Sequence, residues 1–327
     1  MVSRIQKGIN YENSGIINLL DSLVIIQCYF WNCSNVDSDG GCIYSVVEIA
    51  VEYCVFFNSY AKRGGAIFTK SVVDMHFCIF DRVFANVGGS LYSISSIIVS
   101  YSDSSINFAE SDKFSAMYIR ENGKTGIFST NISHCNSDDK GMISLSIVDN
   151  IDFLFNILYN VSANNDLDGI FVDLCGNFYM MGCIFQHFGS ETGKSNRVGA
   201  LYCHSDKLRG SFSECIFHDI HSNVIIDLFC VYQIYIIKST FSLNKESSVQ
   251  YSNQDDAIFI NCTFNINKYS EIIPQTQIFN YSTDRIIIPN RNNNIQTFFS
   301  SGILGIIVSI IFFFLFSKGK NKYSIWN

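Results

Sequence analysis

Short runs rich in Ile, Val, Phe and Tyr recur along the chain, each bounded by Gly, Asn, Asp or Ser. That is the chemistry of strands ended by turns. No window between the breaks holds a 3.6-residue period long enough for a helix. The runs also repeat. Cys54-x-Phe56 returns as Cys78-x-Phe80, and Gly64-Gly65-Ala66-Ile67-Phe68 as Gly88-Gly89-Ser90-Leu91-Tyr92, both 24 residues later. Upstream, Cys28-x-Phe30 leads to Gly40-Gly41-Cys42-Ile43-Tyr44, and Gly41 to Gly65 is again 24. Three units at one period predict a stack in which each unit buries its apolar face on its neighbours.

A unit of this length with two or three short strands fits one rung of a parallel β-helix, in which like strands stack about 4.8 Å apart. The fold class expected is therefore all-β: a right-handed parallel β-helix over residues 1–288, its hand following from parallel crossovers. Cys54, Cys78, Phe56, Phe80, Ile67 and Leu91 are expected to point inward. The Gly pairs, Gly64 with Gly65 and Gly88 with Gly89, mark a corner, because glycine takes positive φ without steric cost. A Leu-rich repeat shares the period but lacks its Leu spacing and helical half.

From Ser93 the repeat decays. Ile106-x-Phe108, Phe128 with Asn131, and Phe153-x-Phe155-Asn156 read as decayed rungs, and Gly141-Met142-Ile143 and Gly169-Ile170-Phe171 as decayed corners. The pattern returns at Cys183, Cys215, Ser239 and Cys262, each two residues before Phe. Cys183 and Cys215 are 32 apart, so an insertion is expected, with residues 191–197 as its polar candidate. About eleven rungs are expected in all.

Residues 297–316 form a second kind of signal: twenty residues without a charge. At 1.5 Å per residue this is about the 30 Å of a bilayer core, so a transmembrane helix is expected. Lys318, Lys320 and Lys322 follow it, which places the tail, 317–327, in the cytoplasm and the repeats outside the plasma membrane. Residues 289–296 read as a polar stalk. Residues 1–13 show no charged-then-apolar leader, so the array is expected to open on a bare edge, with a cap or further rungs upstream. Sequons agree with an external ectodomain: Asn32, Asn131, Asn160 and Asn280 are glycosylation candidates, while Asn261, beside Cys262, is expected to be poorly accessible.

Composition changes this picture little. The chain of 327 residues is 48% hydrophobic and 15% aromatic, which suits buried strands and excludes a disordered or collagen-like chain. Net charge is −7 and no basic patch occurs, so no nucleic-acid partner is expected. The 12 Cys contain no Cys-x-x-Cys. Those at 28, 54, 78, 183, 215 and 262 should stack as buried thiols, since equivalent Cβ atoms about 4.8 Å apart are wider than a disulfide prefers. The state of Cys33, Cys42, Cys135, Cys175, Cys203 and Cys230 stays open.

The Gly-Gly-Ala-Ile-Phe and Phe-Phe-Asn-Ser elements resemble the repeats of chlamydial polymorphic membrane proteins. With its apolar segment and basic tail, the chain is still more similar to right-handed β-helix surface proteins of trichomonad protists. The likeness covers about residues 28–92 well and 183–265 loosely. Phe-x-x-Asn is met at Phe128 and Phe241, but at Phe30 and Phe57 the Asn comes sooner. The resemblance implies adhesion at a cell surface and carries over no catalytic residue.

Many β-helices cut polysaccharides, so carboxylate pairs matter. Asn164-Asn165-Asp166-Leu167-Asp168 and Asp255-Asp256 resemble two polygalacturonase motifs, but Gly-His-Gly and Arg-x-Lys are absent. Asp166 and Asp255 are 89 residues apart, more than three rungs, beyond the roughly 9.5 Å limit of an inverting pair. They read as turn residues. Among His76, His134, His187, His204, His218 and His221 the one close pair is His218-x-x-His221, with Asp219 beside it, so no metal and no cofactor is expected. Asp37 and Asp39 read as turn formers. The leading expectation is an adhesin with a host-cell or glycan ligand. The alternatives are a membrane-anchored polysaccharide lyase or hydrolase, and a self-associating coat component.

Overall fold

The computed structural model describes residues 4–266, apart from 19, 101–102, 110–115, 121–122, 138–140, 164–166, 190–197, 223, 230, 244–247 and 252–256. The described residues form an all-β parallel solenoid and contain no helix. Three sheets, of 11, 10 and 13 strands, run along it, and every strand pair is parallel. This stacking supports the right-handed β-helix read from the repeat. One rung contributes Ile49–Glu52 to the eleven-stranded sheet, Val55–Arg63 to the thirteen-stranded sheet and Ile67–Thr69 to the ten-stranded sheet. The 24-residue repeat is the hydrogen-bond register itself: Phe56 pairs with Phe80, and Ile67 with Leu91.

Alternation along each strand sends one set of side chains inward. Cys54, Cys78, Phe56, Phe80, Ile67 and Leu91 are all fully buried, as the repeat predicts. Phe30, Phe56 and Phe80 stack at 4.9 and 4.8 Å between centroids, and Phe185, Phe217, Phe241 and Phe264 at 4.8 to 5.0 Å. Offset ring stacking adds about 0.5–1.5 kcal/mol per pair to the area buried.

Each glycine of a corner pair has its own reason. Gly40, Gly64 and Gly88 have φ of 70°, 62° and 65°, the left-handed region that disfavours side chains. Gly41 and Gly65 do not share that φ; a Cβ on Gly65 would lie 2.6 Å from the carbonyl oxygen of Gly89 in the next rung. Close backbone approach, not φ, requires the second glycine.

A second corner explains the cysteines. The residue before each ladder position is left-handed: Gln27, Tyr53, Phe77, Ser129, Phe155, Glu214, Lys238 and Asn261 have φ between 49° and 59°. At the corners with Cys, Ser or Thr, the side chain that follows donates to the carbonyl two residues back. Cys54 Sγ reaches Glu52 O at 3.2 Å, Cys78 Sγ reaches His76 O at 3.4 Å, and Ser239 Oγ reaches Ile237 O at 3.1 Å. Thr130 Oγ1 does the same to Phe128 O at 3.1 Å. The position requires a small donor, and Cys is the most apolar of the residues that qualify. Cys28, like Cys54, Cys78, Cys183 and Cys215, is a buried free thiol, and Cys262 is a half-buried one. Cys33, Cys42, Cys135, Cys175 and Cys203 are also buried and free.

The decayed rungs are displaced from where the motifs suggest. Ser104, not Phe108, pairs with Phe80, and Phe108 pairs with Phe84. The inward column continues through Ile132 and Leu158 to Phe185, so neither Phe128 nor Phe153 belongs to it. Both lie in the eleven-stranded sheet. Gly169 is one residue off the corner: Met142 N bonds Gly169 O, and Ile143 pairs with Ile170, so Asp168 holds the place of Gly141. Asp37 and Asp39 are not in a turn. They lie in strand Ser34–Asp39, and Asp39 takes a two-pronged contact from Arg63 Nε and Nη2 at 2.8 and 2.6 Å. Cys183 and Cys215 remain neighbours, because Ile184 pairs with Ile216; the expected insertion lies outside the described residues.

Candidate functional site

The outward surface of the thirteen-stranded sheet carries a line of exposed apolar and titratable side chains. Seven of its rungs bend mid-strand at another left-handed residue. Asn32, Asn58, Arg82, His134, Asn160, His187 and Asp219 hold φ between 51° and 55°. Asn, Asp and His tolerate this region best among residues with a side chain, so the bend selects them. Stacking the rungs then aligns their side chains on one outward line.

At one end this line is amide and aromatic. Asn58 Nδ2 donates to Asn32 Oδ1 at 2.5 Å. Beside it Trp31 meets Tyr29 at 5.9 Å and Phe57 at 5.0 Å, and the Arg82 guanidinium lies 5.3 Å from the Phe57 ring. Trp31 is 42% exposed and Ile79, two rungs on, 43%. The column runs on by register from Val55 through Ile79, Asp103, Asn131, Ile157 and Ile184 to Ile216, aliphatic except at Asp103 and Asn131. Ile157 and Ile216 are exposed like Ile79.

At the other end the line is imidazole and carboxylate. Tyr159 stands edge-on between His134, at 5.7 Å, and His187, at 5.1 Å. His187 Nδ1 contacts Asp219 Oδ2, and His221 Nε2 lies 3.1 Å from Asp219 Oδ1. Gln186 Nε2 lies 3.3 Å from His187 Nε2. One carboxylate thus orients two imidazoles at a partly exposed surface. Such a group can relay a proton, but the carboxylate pair of a glycosidase is a different arrangement. Among the described residues no group of three or more His, Cys, Asp or Glu side chains is placed to hold a metal ion.

The residues named for an enzyme are not brought together. Asp168 is fully buried, and its Oδ1 accepts from Ala163 N at 2.6 Å, so it shapes the chain. Asp166, Asp255 and Asp256 lie outside the described residues. Of the sequon asparagines, Asn131, Asn160 and Asn261 are exposed and Asn32 is half-buried. The exposure of Asn261 reverses the expectation: its left-handed corner turns it outward while Cys262 turns in. Asn280, the stalk, the apolar segment and the basic tail lie outside the described residues. Among the described residues no helix is long and apolar enough to cross a membrane.

The cluster on Asp219 was only partly legible. His218-x-x-His221 was visible as a pair, but His187 joins Asp219 by register across two rungs, and His218 is not among the contacts of Asp219. The signal that finds it is the rung offset of 32, which brings residue 187 onto 219. No family model, curated protein or solved structure matches this chain.

Proposed function

We propose that the solenoid is the adhesive ectodomain of a single-pass plasma-membrane protein, with the tail in the cytoplasm and a cell-surface or glycan ligand outside. The observation that supports it is the outward face of the thirteen-stranded sheet. There, Trp31, Phe57, Ile79, Ile157, Tyr159 and Ile216 offer apolar contacts repeated at rung spacing. Exposed apolar side chains in line along one face favour interaction, and repetition at whole-rung intervals suits many weak contacts. The apolar run 297–316 with its following lysines supports the anchor and its orientation. The resemblance to chlamydial and trichomonad β-helix surface proteins supports adhesion.

Binding of the intact protein to host-type cells is compared with that of a variant carrying Trp31→Ser, Ile79→Ser and Ile216→Ser. Loss of binding with an unchanged circular dichroism spectrum is expected. Unchanged binding removes the face from the account. Release of oligosaccharide from pectin-like or host glycans, abolished by Asp255→Asn with Asp256→Asn, makes the chain an enzyme instead. Concentration-dependent self-association abolished by the same triple variant, without cell binding, makes it a coat component. Topology is tested apart from this. Protease on intact cells should remove an epitope at Lys194 and spare one after Lys318; the reverse pattern refutes the anchor.

A further inference from the structure

The histidines are not spread evenly over the three sheets. His76 lies on the outward side of the eleven-stranded sheet with Asp74 at 2.7 Å, and His204 on that of the ten-stranded sheet with Asp173 at 3.3 Å, so each has a carboxylate of its own. The other four, His134, His187, His218 and His221, stand on the thirteen-stranded sheet or just past its strands. Register puts His134 two rungs before His187, and His187 one rung before His218 and Asp219. His221 follows on that last rung, beside Gly189, where a Cβ would lie 3.1 Å from the Cβ of His221. His134, His218 and His221 are exposed and His187 is half-buried. Among the described residues the one carboxylate in contact with any of the four is Asp219, which meets His187 and His221. The groups beside them on the neighbouring strands, Tyr159, Asn160, Gln186 and Ser242, carry no charge. Glu214 and Lys238, at the corner before the last rungs, pair with each other at 3.8 Å. Asp168 is buried, and Asp103 lies on the strand before His134, at the register of Asn131. Segments 138–140, 164–166, 190–197 and 244–247, outside the described residues, hold five anions (Asp138, Asp139, Asp166, Glu191 and Glu246) and four cations (Lys140, Lys194, Arg197 and Lys245). Asp219, Asp103 and that one excess anion are three negative charges; four protonated imidazoles outnumber them.

We propose, on the reading of this sheet as the adhesive surface, that its histidine-rich end is an acid-dependent binding site for a sulfated glycan. Imidazole is the side chain whose charge changes between about pH 5 and 8. While the four are neutral, the carboxylates prevail and repel sulfate. Once protonated, His187 and His221 hold Asp219 between them, and His134 and His218 turn charged N–H donors to the ligand. His134 and His218 stand three rungs apart, about 14 Å at the usual strand spacing. A linear glycan with anions along its length meets such a line of donors at rung intervals, and every contact after the first is intramolecular. A sulfate ester suits the site better than a uronate. It keeps its charge as the imidazoles gain theirs, whereas a carboxylate begins to lose its own.

The full chain is titrated with dextran sulfate, and with unsulfated dextran as the blank, at about pH 7.5 and about pH 6, on either side of the imidazole range. Affinity for dextran sulfate is expected to rise about tenfold or more at the lower pH, the gain of one charge-assisted contact, while that for dextran is unchanged. His134→Asn with His218→Gln should abolish the gain; asparagine keeps the left-handed bend, as Asn160 does one rung on. His134→Arg with His218→Arg should bind at both pH values, and Arg82 already holds the same bend two rungs earlier. His76→Gln with His204→Gln, on the other two sheets, should leave the gain intact. The proposal is overturned by the absence of a gain, by a gain that survives His134→Asn with His218→Gln, by one that is lost with His76→Gln and His204→Gln, or by an arginine variant that binds only at the lower pH. Cell binding at the higher pH that persists without an acid gain removes this site and leaves the adhesive face standing.

Discussion

The rungs around Cys28, Cys54 and Cys78 and those around Thr130 and Asn156 solve the same corner with different chemistry. In the first set a thiol donates to the carbonyl two residues back and the corner repeats every 24 to 26 residues. In the second, Thr130 uses its hydroxyl, and Asn156 uses its amide to span two rungs. Its Nδ2 donates to Ile127 O at 2.8 Å and its Oδ1 accepts from Thr130 N at 2.9 Å. The backbone register is common to both sets; the side chains that satisfy it are not. A solenoid of this kind constrains hydrogen-bonding capacity and size at a corner, and identity only where nothing else fits.

The sharpest break in the comparison is at the glycine corners, where nothing else fits. Gly65→Ala drives a Cβ into backbone oxygens of the next rung, so a loss above about 4 kcal/mol is expected, enough to prevent folding. Gly8 instead has the positive φ, 64°, with open space around the Cβ, so Gly8→Ala should cost about 1–2 kcal/mol. Urea midpoints for the two variants check the gap; equal losses would remove the close-approach argument.

Asn156→Ala leaves Ile127 O and Thr130 N buried without this partner, at about 1–3 kcal/mol each. Asn156→Cys, which imports the solution used at Cys54, should recover part of that loss in the same urea titration. If the cysteine variant is no better than the alanine one, the two corners are not alternatives for one requirement.

Alkali should separate the two sets further. Burial pushes the Cys54 thiol up to about 12 and the Cys175 thiol up to about 11. A folded-state value raised above the unfolded one gives stability that is whole below the unfolded value near 9 and is lost as pH rises toward the folded one. Each such thiol therefore contributes a fall of about 1.4 kcal/mol per pH unit between about 9 and 11. Replacing Cys54 by Ser should flatten the pH dependence of the urea midpoint over that interval by one proton. An unchanged slope would mean that the thiol ionises freely in the folded state.

The smallest effect concerns corners met by unsuited residues. Leu174 is exposed with φ of 53°. Leu174→Gly relieves about 1–2 kcal/mol of left-handed strain against about 0.5–1 kcal/mol of glycine entropy, so a gain below about 1 kcal/mol is expected. A fall in thermal midpoint would contradict it.

The regular rungs were legible because Cys-x-Phe and the Gly pairs report the register directly. The decayed ones were misplaced by four or five residues, since Ser104, Ile132 and Leu158 in the Phe column look like ordinary strand residues. Asp168 and Gly169 were confused because a capped Asp can stand where glycine usually does. The His187–Asp219 contact depends on pairing across a 32-residue rung, which no local motif encodes. The outward apolar column was invisible for the same reason: Val55, Ile157 and Ile216 fall into line only along the stack.

That column gives the most direct measurement. Spin labels introduced as unnatural amino acids at Val55 and Ile157, four rungs apart by register, and at Val55 and Ile216, six rungs apart, report distances by electron double resonance. Parallel stacking predicts separations of about 19 Å and about 29 Å at about 4.8 Å per rung. Equal distances, or a longer one for the pair at 55 and 157, would contradict a single column on one face of a solenoid.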